Sequence, residues 1–471
     1  MAASKNRSVS SSESPEFAAA KLAAKAHFDC AGALEQSGKL DEAVAELRRA
    51  AKLDPQAGEA QINLAALLEK LGHVDESLAA ARRAVELRPD HPIAHYNLAR
   101  VLQTIGRLGE ADAEYSRAIE LDREFALAFT NRGCCRLLQG NYAAGWSDYE
   151  WRLRTALVQT DRYPQPRWNG RPLPTGTLLI HGEQGIGDEI QFASCIPDLV
   201  PLADQCVLVC HPRLARFMAR SFPAVVVVGH DRQANGVPPQ LPLPIDAQIA
   251  SGSVPMYLRR TLDGFPTRKR YLLADPQQIR GWRQRYDAIG AGVKIGISWF
   301  GGGTWEERRR RTTELKDWHD VLTVAGVDFV NLQYGSCTGE LNAVAKSCGK
   351  TIHHFEEADP LGDIDNFAAK VAALDLVIAV GNATVHLAGA LGVPTWCLAP
   401  AAPQWRWAAA GDKTPWYPSV WIIRQLESDR WKPTLTKAAR ELENVVRHSG
   451  RMLGITKLRP KRTAKLPSDT P

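Results

Sequence analysis

The chain has 471 residues, of which 45% are hydrophobic and 23% charged, values typical of soluble globular proteins. At this length one core would be too large, so we expect about two to four domains. No run approaches the ~20 apolar residues that cross a bilayer, and the start lacks the apolar segment of a secretion signal. We therefore expect a cytoplasmic protein without a transmembrane segment.

The cysteines and the net charge narrow the choice of compartment and partner. Nine cysteines, an odd number with no Cys-x-x-Cys pair, agree with a reducing compartment. The net charge of +6 is modest, and no nucleic-acid motif accompanies it, so we expect no nucleic-acid partner.

Glycine recurs every 34 residues in the first third of the chain, at Gly38, Gly72, Gly106 and Gly140. Small residues recur at the same interval, at Ala31, Ala65, Ala99 and Gly133. Because glycine ends helices and small side chains let helices pack closely, the pattern predicts tandem helical hairpins. It resembles the tetratricopeptide repeat family, with full units from about 23 to 124 and a divergent unit to about 154. The resemblance implies a groove for a protein or peptide partner, and a purely stabilising or oligomerising role is the alternative.

After the repeats the pattern changes to alternating strands and helices. The predicted strands are 177–180, 206–210 and 224–228 in a first block, and 294–298, 328–332, 376–380 and 394–398 in a second. Two such blocks predict two Rossmann-like domains that face each other across a cleft. The expected segments are a disordered lead at 1–20, repeats at 21–155, a linker at 156–175, α/β domains at 176–288 and 289–448, and a disordered basic tail at 449–471.

A glycine-rich loop with an acid at its end follows the first predicted strand. It contains Gln184, Gly185 and Gly187, and Asp188 comes next, at the start of an amphipathic helix. Glycine lets a backbone approach a phosphate, and a helix N-terminus supplies unpaired N–H groups. Since a carboxylate repels phosphate, Asp188 either caps its helix or acts on something else, such as a hydroxyl to be deprotonated.

A second helix start of this kind follows the strand at 376–380. Asn382 or Thr384 can cap that helix and leave other N–H groups for an anion. His386, in the first turn, can donate to a diphosphate oxygen or simply bond a neighbouring backbone carbonyl.

Polar residues at the ends of the two intervening strands complete the candidate site. Ser298 precedes a glycine-rich turn that contains Gly302, and four arginines follow at 308–311. Arginine makes charge-assisted, bidentate contacts with phosphate, and Arg311, nearest the following helix, is the one expected at the ligand. Gln333 ends the next strand at the same rim.

Four of these motifs together resemble glycosyltransferase family 9, the heptosyltransferase-like group. They are Gly187-Asp188, Gly-Ile-Ser-Trp at 296–299, Leu-Gln-x-Gly at 332–335, and Leu-Asp-Leu-Val-Ile at 374–378 leading into His-Leu-Ala-Gly-Ala-Leu-Gly at 386–392. The resemblance covers about residues 177–425. Repeats in front of such a domain match bacterial proteins that fuse the two.

The resemblance implies an α + α/β chain in which the repeat array precedes a GT-B fold of two Rossmann-like domains. The implied reaction is an inverting, metal-independent transfer of a sugar from a nucleotide-diphosphate sugar to a hydroxyl, without a cofactor or a metal site. Asp188 would be the general base, and the diphosphate would lie at 381–386.

Two departures from the family keep alternatives open. Gly381-Asn382 stands where heptosyltransferases carry Asp-Thr, and arginines stand where a lysine is expected near the glycine-rich turn. One alternative is a catalytically inactive repeat scaffold. Another is an enzyme similar to protein O-linked N-acetylglucosamine transferase, which the loop at 181–189 fits poorly.

Two further features are interpreted structurally. Asp363-Ile364-Asp365 mimics a metal-binding Asp-x-Asp motif, but it directly precedes a predicted helix, so we expect a helix cap. Aromatic residues cluster at Trp146, Tyr149 and Trp151, and at Trp405, Trp407, Trp416 and Trp421. For both groups packing is favoured over ligand stacking.

Overall fold

The computed structural model describes residues 15–155, 158, 163–232, 238–303, 305–427 and 430–449. They form two compact units that divide between Arg132 and Gly133. Residues 1–14 of the expected disordered lead and 450–471 of the expected tail lie outside the described residues. Residues 15–20 of the lead are helical, so the prediction of disorder was wrong for that part.

The first unit is built from helical hairpins. Its helices are α1 (Pro15–Gln36), α2 (Leu40–Leu53), α3 (Gly58–Leu71), α4 (Val74–Leu87), α5 (Pro92–Thr104) and α6 (Leu108–Leu121), and α7 (Ala126–Leu138) begins in it. Glycines with φ near 80–90° follow the first helix of each hairpin: Gly38 at 79°, Gly72 at 90° and Gly106 at 79°. Glycine adopts this left-handed backbone without strain. The small residues expected at the helix contacts, Ala31, Ala65 and Ala99, are buried, which confirms the helical-repeat prediction.

The second unit starts inside α7 rather than after residue 155 as expected. Its first complete helix, α8 (Tyr142–Tyr149), and the short 3₁₀ turn Glu150–Arg154 pack with the α/β region that follows. The divergent last hairpin therefore groups with the α/β region, and its assignment to the repeats stays a prediction. The reason for this grouping is the burial of large side chains on this helix, including Trp146 and Tyr149, against the α/β region.

A four-stranded parallel sheet opens the α/β region. Its strands are β1 (Leu173–His181), β2 (Ala203–Cys210), β3 (Val226–Gly229) and β4 (Ala247–Ala250), in the order β3-β2-β1-β4. In register, Ile180 of β1 lies opposite Leu208 of β2 and Ile249 of β4. The helices here are α9 (Ile186–Phe192), α10 (Ile196–Leu199), α11 (Pro212–Ser221) and α12 (Pro255–Leu258). β1 begins at Leu173, so the expected linker ends before residue 175.

A six-stranded parallel sheet follows. Its strands are β5 (Val293–Ser298), β6 (Val327–Asn331), β7 (Ile352–His353), β8 (Leu376–Val380), β9 (Thr395–Ala399) and β10 (Val420–Arg424), in the order β10-β9-β8-β5-β6-β7. This is the doubly wound order, in which the winding reverses between β5 and β8 and ligands bind outside the carboxyl ends of the strands. The helices are α13 (Pro276–Ile289), α14 (Trp305–Arg311), α15 (His319–Leu322), α16 (Thr338–Cys348), α17 (Ile364–Ala372), α18 (Ala383–Leu391) and α19 (Lys432–Ser449).

The core of the second sheet explains why its central strands could be read from the sequence. Every residue of β8 is buried, and Ile295 and Ile297 of β5 are inaccessible to solvent. A parallel strand covered on both faces carries a continuous apolar run, which is what β8 shows. Among the described helices, none is long and apolar enough to span a bilayer.

Helix α17 carries a buried lysine. Lys370 is 2% exposed, and its ammonium is 5.7–5.8 Å from the ring centroids of Trp282, Phe355 and Phe367. Burial lowers the pKa of Lys370 to about 8, against the opposing carboxylates of Glu357 and Asp359. Native packing therefore disfavours the charge at this position.

Replacing Lys370 with methionine is expected to raise the free energy of unfolding by about 1–3 kcal/mol at neutral pH. The gain should shrink as the pH rises from about 8, the native pKa of Lys370, to 10.5, its unfolded pKa. In this range native Lys370 loses its proton while the unfolded chain keeps it, so the stability of the parent rises toward that of the variant. Urea unfolding across that range measures the gain. Exposed Lys346→Met is the matched control, and a pH-independent gain would contradict the interpretation.

Candidate functional site in the cleft between the two sheets

A cavity of about 590 Å³ lies between the two parallel sheets. Its walls come largely from segments that follow the carboxyl ends of β1, β5, β6 and β8. Nine of the residues expected at the site line it: Gln184, Gly185, Gly187, Asp188, Gly302, Arg311, Asn382, Thr384 and His386. Asp188 and His386 thus share one crevice, at the edge where doubly wound sheets bind ligands.

The loop after β1 ends in helix α9, whose first turn faces the cavity. Gly185 is the N-cap and supplies no side-chain cap, and the Asp188 amide donates to the Gly185 carbonyl at 3.0 Å. The amides of Ile186 and Gly187 precede these first helical bonds and remain available to a ligand. A Cβ on Gly187 would lie 3.2 Å from the His386 ring, so glycine here also permits close approach of α9 and α18.

Asp188 forms an ion pair instead of capping its helix. One carboxylate oxygen accepts a hydrogen bond from the guanidinium of Arg406, which lies in the 3₁₀ turn Trp405–Trp407 after β9. The two side chains are 21% and 11% exposed. Burial acts to lower the pKa of Arg406, but the Asp188 carboxylate, together with Tyr149 and Cys134, raises it, and the net pKa is raised. The pair joins the helix after β1 to the turn after β9.

His386 lies in the first turn of α18 as a neutral ring. Burial, with the positive charges of Arg406 and Arg311, holds the pKa of His386 well below its usual range. Its Nδ1 is 2.8 Å from the Tyr417 hydroxyl, and the ring stacks on Trp407 with centroids 5.1 Å apart. Of the two alternatives for His386, the bond to a backbone carbonyl is not the one that Nδ1 makes, and the diphosphate contact stays a prediction.

Ser298 and Gln333 are not among the residues that line the cavity. They form a hydrogen-bond network with its lining residue Asn382. Gln333 Oε1 accepts hydrogen bonds from Ser298 Oγ at 2.9 Å and from the amides of Trp299 and Phe300 at 2.9 and 3.0 Å. Asn382 Nδ2 donates to Ser298 Oγ at 2.8 Å. The network joins the ends of β5, β6 and β8, which the predicted site needs in register, and a ligand contact of these two residues stays a prediction.

Asn382 also caps helix α18. Its Oδ1 accepts from the Thr384 amide at 3.1 Å, so Asn382 is the cap that the sequence left undecided between these two residues. Ala383, one position earlier, lines the cavity, and its amide has no intrahelical partner.

Three arginines give the cavity its charge. Of the run at 308–311, Arg311 lines the cavity and donates from Nη1 to the Gly381 carbonyl at 3.2 Å. Arg213 and Arg406 also line it, and neither was expected from the sequence. With Asp188 as the lining acid and His386 neutral, three positive charges and one negative give a net charge of +2.

Part of the cavity lining is aromatic or apolar. It comes from Tyr334, Pro360, Leu361, Ile364 and Phe367. Arg213 Nη1 reaches the Pro360 and Leu361 carbonyls at 3.0 Å each, which ties a helix of the first sheet to a loop of the second.

The Asp-x-Asp motif around Ile364 caps a helix, as expected. Asp363 Oδ1 accepts from the amides of Asp365 and Asn366 at 3.0 and 3.1 Å, which caps α17. Asp365 pairs with Arg220 of α11, with one oxygen 3.0 Å from Nη1.

The tryptophan-rich segment packs into the fold, which agrees with the sequence interpretation. Trp146 of α8 meets Trp405 and Trp416 edge-on, with centroids 5.3 and 6.1 Å apart. Its indole N–H donates to the Arg259 carbonyl at 2.8 Å. All three indoles are buried.

The first unit matches a family of repeats. The tetratricopeptide repeat family model matches residues 16–58, 28–92 and 62–124. These residues are tetratricopeptide repeats, a class of stacked repeats with an extended binding surface.

A curated relative extends into the α/β region. Protein FlbA of Caulobacter vibrioides is 35% identical over 326 residues, which are 66% of this chain and 54% of that protein. The chain spans about half the length of this relative, whose name specifies neither an activity nor a ligand.

Solved structures with similarity to the chain include MamA and other tetratricopeptide-repeat proteins. The MamA protein is 20% identical over 28% of this chain and 72% of its own, with a TM-score of 0.27. A thermophilic repeat protein from Thermus thermophilus is 22% identical over 28% of this chain and 75% of its own, also with a TM-score of 0.27. The first repeat domain of Spaghetti (RPAP3), bound to an HSP90 peptide, is 20% identical over 24% of this chain and 89% of its own, with a TM-score of 0.23.

Proposed function

We propose that the chain is an inverting glycosyltransferase of the GT-B type, which transfers a sugar from a nucleotide-diphosphate sugar to a hydroxyl acceptor. The observation that carries the proposal is the cavity between two parallel sheets, at the reversal of strand order, with a carboxylate, a neutral histidine and three arginines on its walls. A net positive cavity favours an anionic ligand, and glycine-flanked strand ends permit close backbone approach.

The donor diphosphate would lie at the start of α18. Arg311 and Arg406 offer charge-assisted contacts from two sides, and the amides of Ala383, Ile186 and Gly187 offer neutral ones. The α18 dipole adds a partial positive charge to the same place. These groups would stabilise the negative charge that the departing nucleoside diphosphate gains in the transition state.

The acceptor would be activated at Asp188. The carboxylate takes the proton of the acceptor hydroxyl while the acceptor oxygen forms a bond to the anomeric carbon. The bond from that carbon to the diphosphate oxygen breaks on the opposite face, and its electron pair leaves with the nucleoside diphosphate. A bound diphosphate would compete with Asp188 for Arg406 and release the carboxylate.

The repeats would bring the acceptor or a partner protein to this cleft. Stacked repeats of this kind present a concave surface to an extended protein segment. The acceptor hydroxyl would then belong to a protein held by residues 16–124 or to a molecule that such a partner delivers.

A thermal-shift screen with nucleoside diphosphates and their sugar conjugates tests this proposal. One nucleoside diphosphate should raise the melting temperature, since ligand at 100 times Kd stabilises by about 2.7 kcal/mol. Arg311→Gln should weaken its binding by about 10- to 100-fold, the worth of a charge-assisted hydrogen bond. Exposed Arg308→Gln is the matched control and should bind normally. A chain that no nucleoside diphosphate stabilises is not this enzyme.

A catalytically inactive scaffold is the second candidate function. The observation that favours it is the ion pair of Asp188 with Arg406, which engages the carboxylate. A scaffold would bind partners through residues 16–124 and show no transfer with any donor.

A further inference from the structure

Helix α8 reaches the cleft through side chains that the repeat pattern does not explain. Tyr149 packs its ring against Trp146 and Trp405, with centroids 5.8 and 5.6 Å away, and is buried. Trp405 is next to Arg406, whose guanidinium lies 4.5 Å from the Trp405 ring centroid. The helix therefore supports one member of the Asp188–Arg406 pair from behind.

The same helix and its 3₁₀ turn hold the loop that carries the other member. The Tyr149 hydroxyl accepts a hydrogen bond from Gln184 Nε2 at 2.9 Å. Arg152 donates to both carboxylate oxygens of Glu183, the residue before Gln184, and its Nη2 is 2.9 Å from each oxygen. Glu183 and Gln184, in the loop that precedes Asp188, are thus anchored to α8 and to the 3₁₀ turn that follows it.

These contacts determine how the Gln184 amide is turned. Its Nε2 donates to Tyr149 and also lies 3.4 Å from Glu183 Oε1, which as a carboxylate oxygen only accepts. The NH₂ group is used by these two neighbours. Because Gln184 lines the cavity, its side-chain oxygen, Oε1, is the polar atom of this amide left for a ligand. An amide oxygen accepts hydrogen bonds.

We propose that Tyr149 is a positioning residue of the cleft. It fixes the Gln184 side chain so that its Oε1 accepts a hydrogen bond from a hydroxyl of the transferred sugar. The sugar contact rests on the proposed function. The positioning of the loop by Tyr149 does not. A helix that continues the repeat pattern thereby contributes to substrate recognition in the α/β region.

The first test is hydrogen–deuterium exchange of the full chain without ligand. Tyr149→Phe keeps the buried ring and removes the hydroxyl, and it should speed the exchange of amides in 182–188 about five-fold, the effect of losing one neutral hydrogen bond. Tyr142→Phe, on the same helix and packed on Phe265, is the matched control and should leave this loop unchanged. Equal exchange in the parent and Tyr149→Phe would overturn the positioning role.

The second test is calorimetric binding of the nucleoside diphosphate that gives the largest thermal shift, and of its sugar conjugate. Tyr149→Phe and Gln184→Ala should each weaken binding of the conjugate about three- to ten-fold and leave the nucleoside diphosphate unaffected. Equal effects on both ligands, or none, would overturn the sugar contact. If the parent chain binds no nucleoside diphosphate, the proposed function fails and the sugar contact with it, whereas exchange still decides whether Tyr149 positions the loop.

Discussion

Asp188→Asn is expected to lower kcat for sugar transfer by about 10²- to 10⁴-fold, the usual contribution of a general base. Asparagine keeps the size and shape of the side chain but cannot take the acceptor's proton. It also releases Arg406 from its ion pair, so affinity for the nucleoside diphosphate should stay the same or increase. Steady-state kinetics and calorimetry on the same preparation measure the two effects separately.

Asp198→Asn is a useful control for Asp188→Asn, because Asp198 also pairs with arginines but does not line the cavity. It should leave kcat unchanged. An Asp188→Asn variant with full transfer activity would exclude this carboxylate as the base. Transfer that is absent from the parent chain as well, with nucleotide binding retained, would favour the scaffold.

Arg152→Met is expected to reduce the free energy of unfolding of the α/β unit by about 3–5 kcal/mol, because it leaves a buried carboxylate without its partner. Arg152 is 1% exposed and Glu183 fully buried at its side chain. Burial, with the negative charges of Glu150 and Asp188, raises the pKa of Glu183 against the lowering effect of Arg152, and removal of Arg152 should raise that pKa further. The native carboxyl then binds a proton more readily than the unfolded one, so the loss should diminish as the pH falls toward 4.5, the unfolded value.

Two further variants separate this effect from general damage. Arg152→Met combined with Glu183→Leu removes both charges and should recover most of the lost stability. Arg167→Met removes the 43% exposed partner of Glu150 and should cost less than about 1 kcal/mol. Urea unfolding followed by tryptophan fluorescence measures all three. Equal losses for Arg152→Met and Arg167→Met would contradict the buried-pair argument.

Several cleft residues could be predicted because local pattern identifies strand ends. Gly187, Asp188, Asn382 and His386 each follow a predicted strand closely, and parallel strands bring their carboxyl ends to one edge of a sheet. Arg311 was chosen from the four arginines at 308–311 only because it is the one nearest the following helix.

Other site residues carry no local signal. Arg406 pairs with a carboxylate 218 residues earlier in the chain. Arg213 lies on a helix of the first sheet, and only its reach to the carbonyls of Pro360 and Leu361 reveals that it belongs to the cleft. The hydrogen bonds of Ser298 and Gln333 to neighbouring strand ends were not foreseen for a related reason: a strand-end position does not tell which neighbours a side chain meets.

By itself the sequence determined the 34-residue helical period and the central strands of both sheets. Those features follow from repeating close packing and from apolar runs, which are interactions within a few residues of the chain. The short strands β4 and β7 lack such runs and were not predicted, and neither was β10, whose Trp421 was assigned to a tryptophan-rich terminal segment.

Only the tertiary structure decided that α8, which continues the repeat pattern, belongs with the α/β region, and that Asp188 is paired. Both depend on which buried side chains and charges meet after the chain has folded. Such contacts join residues far apart in the chain, and their free energy comes from burial and charge pairing that no short segment contains.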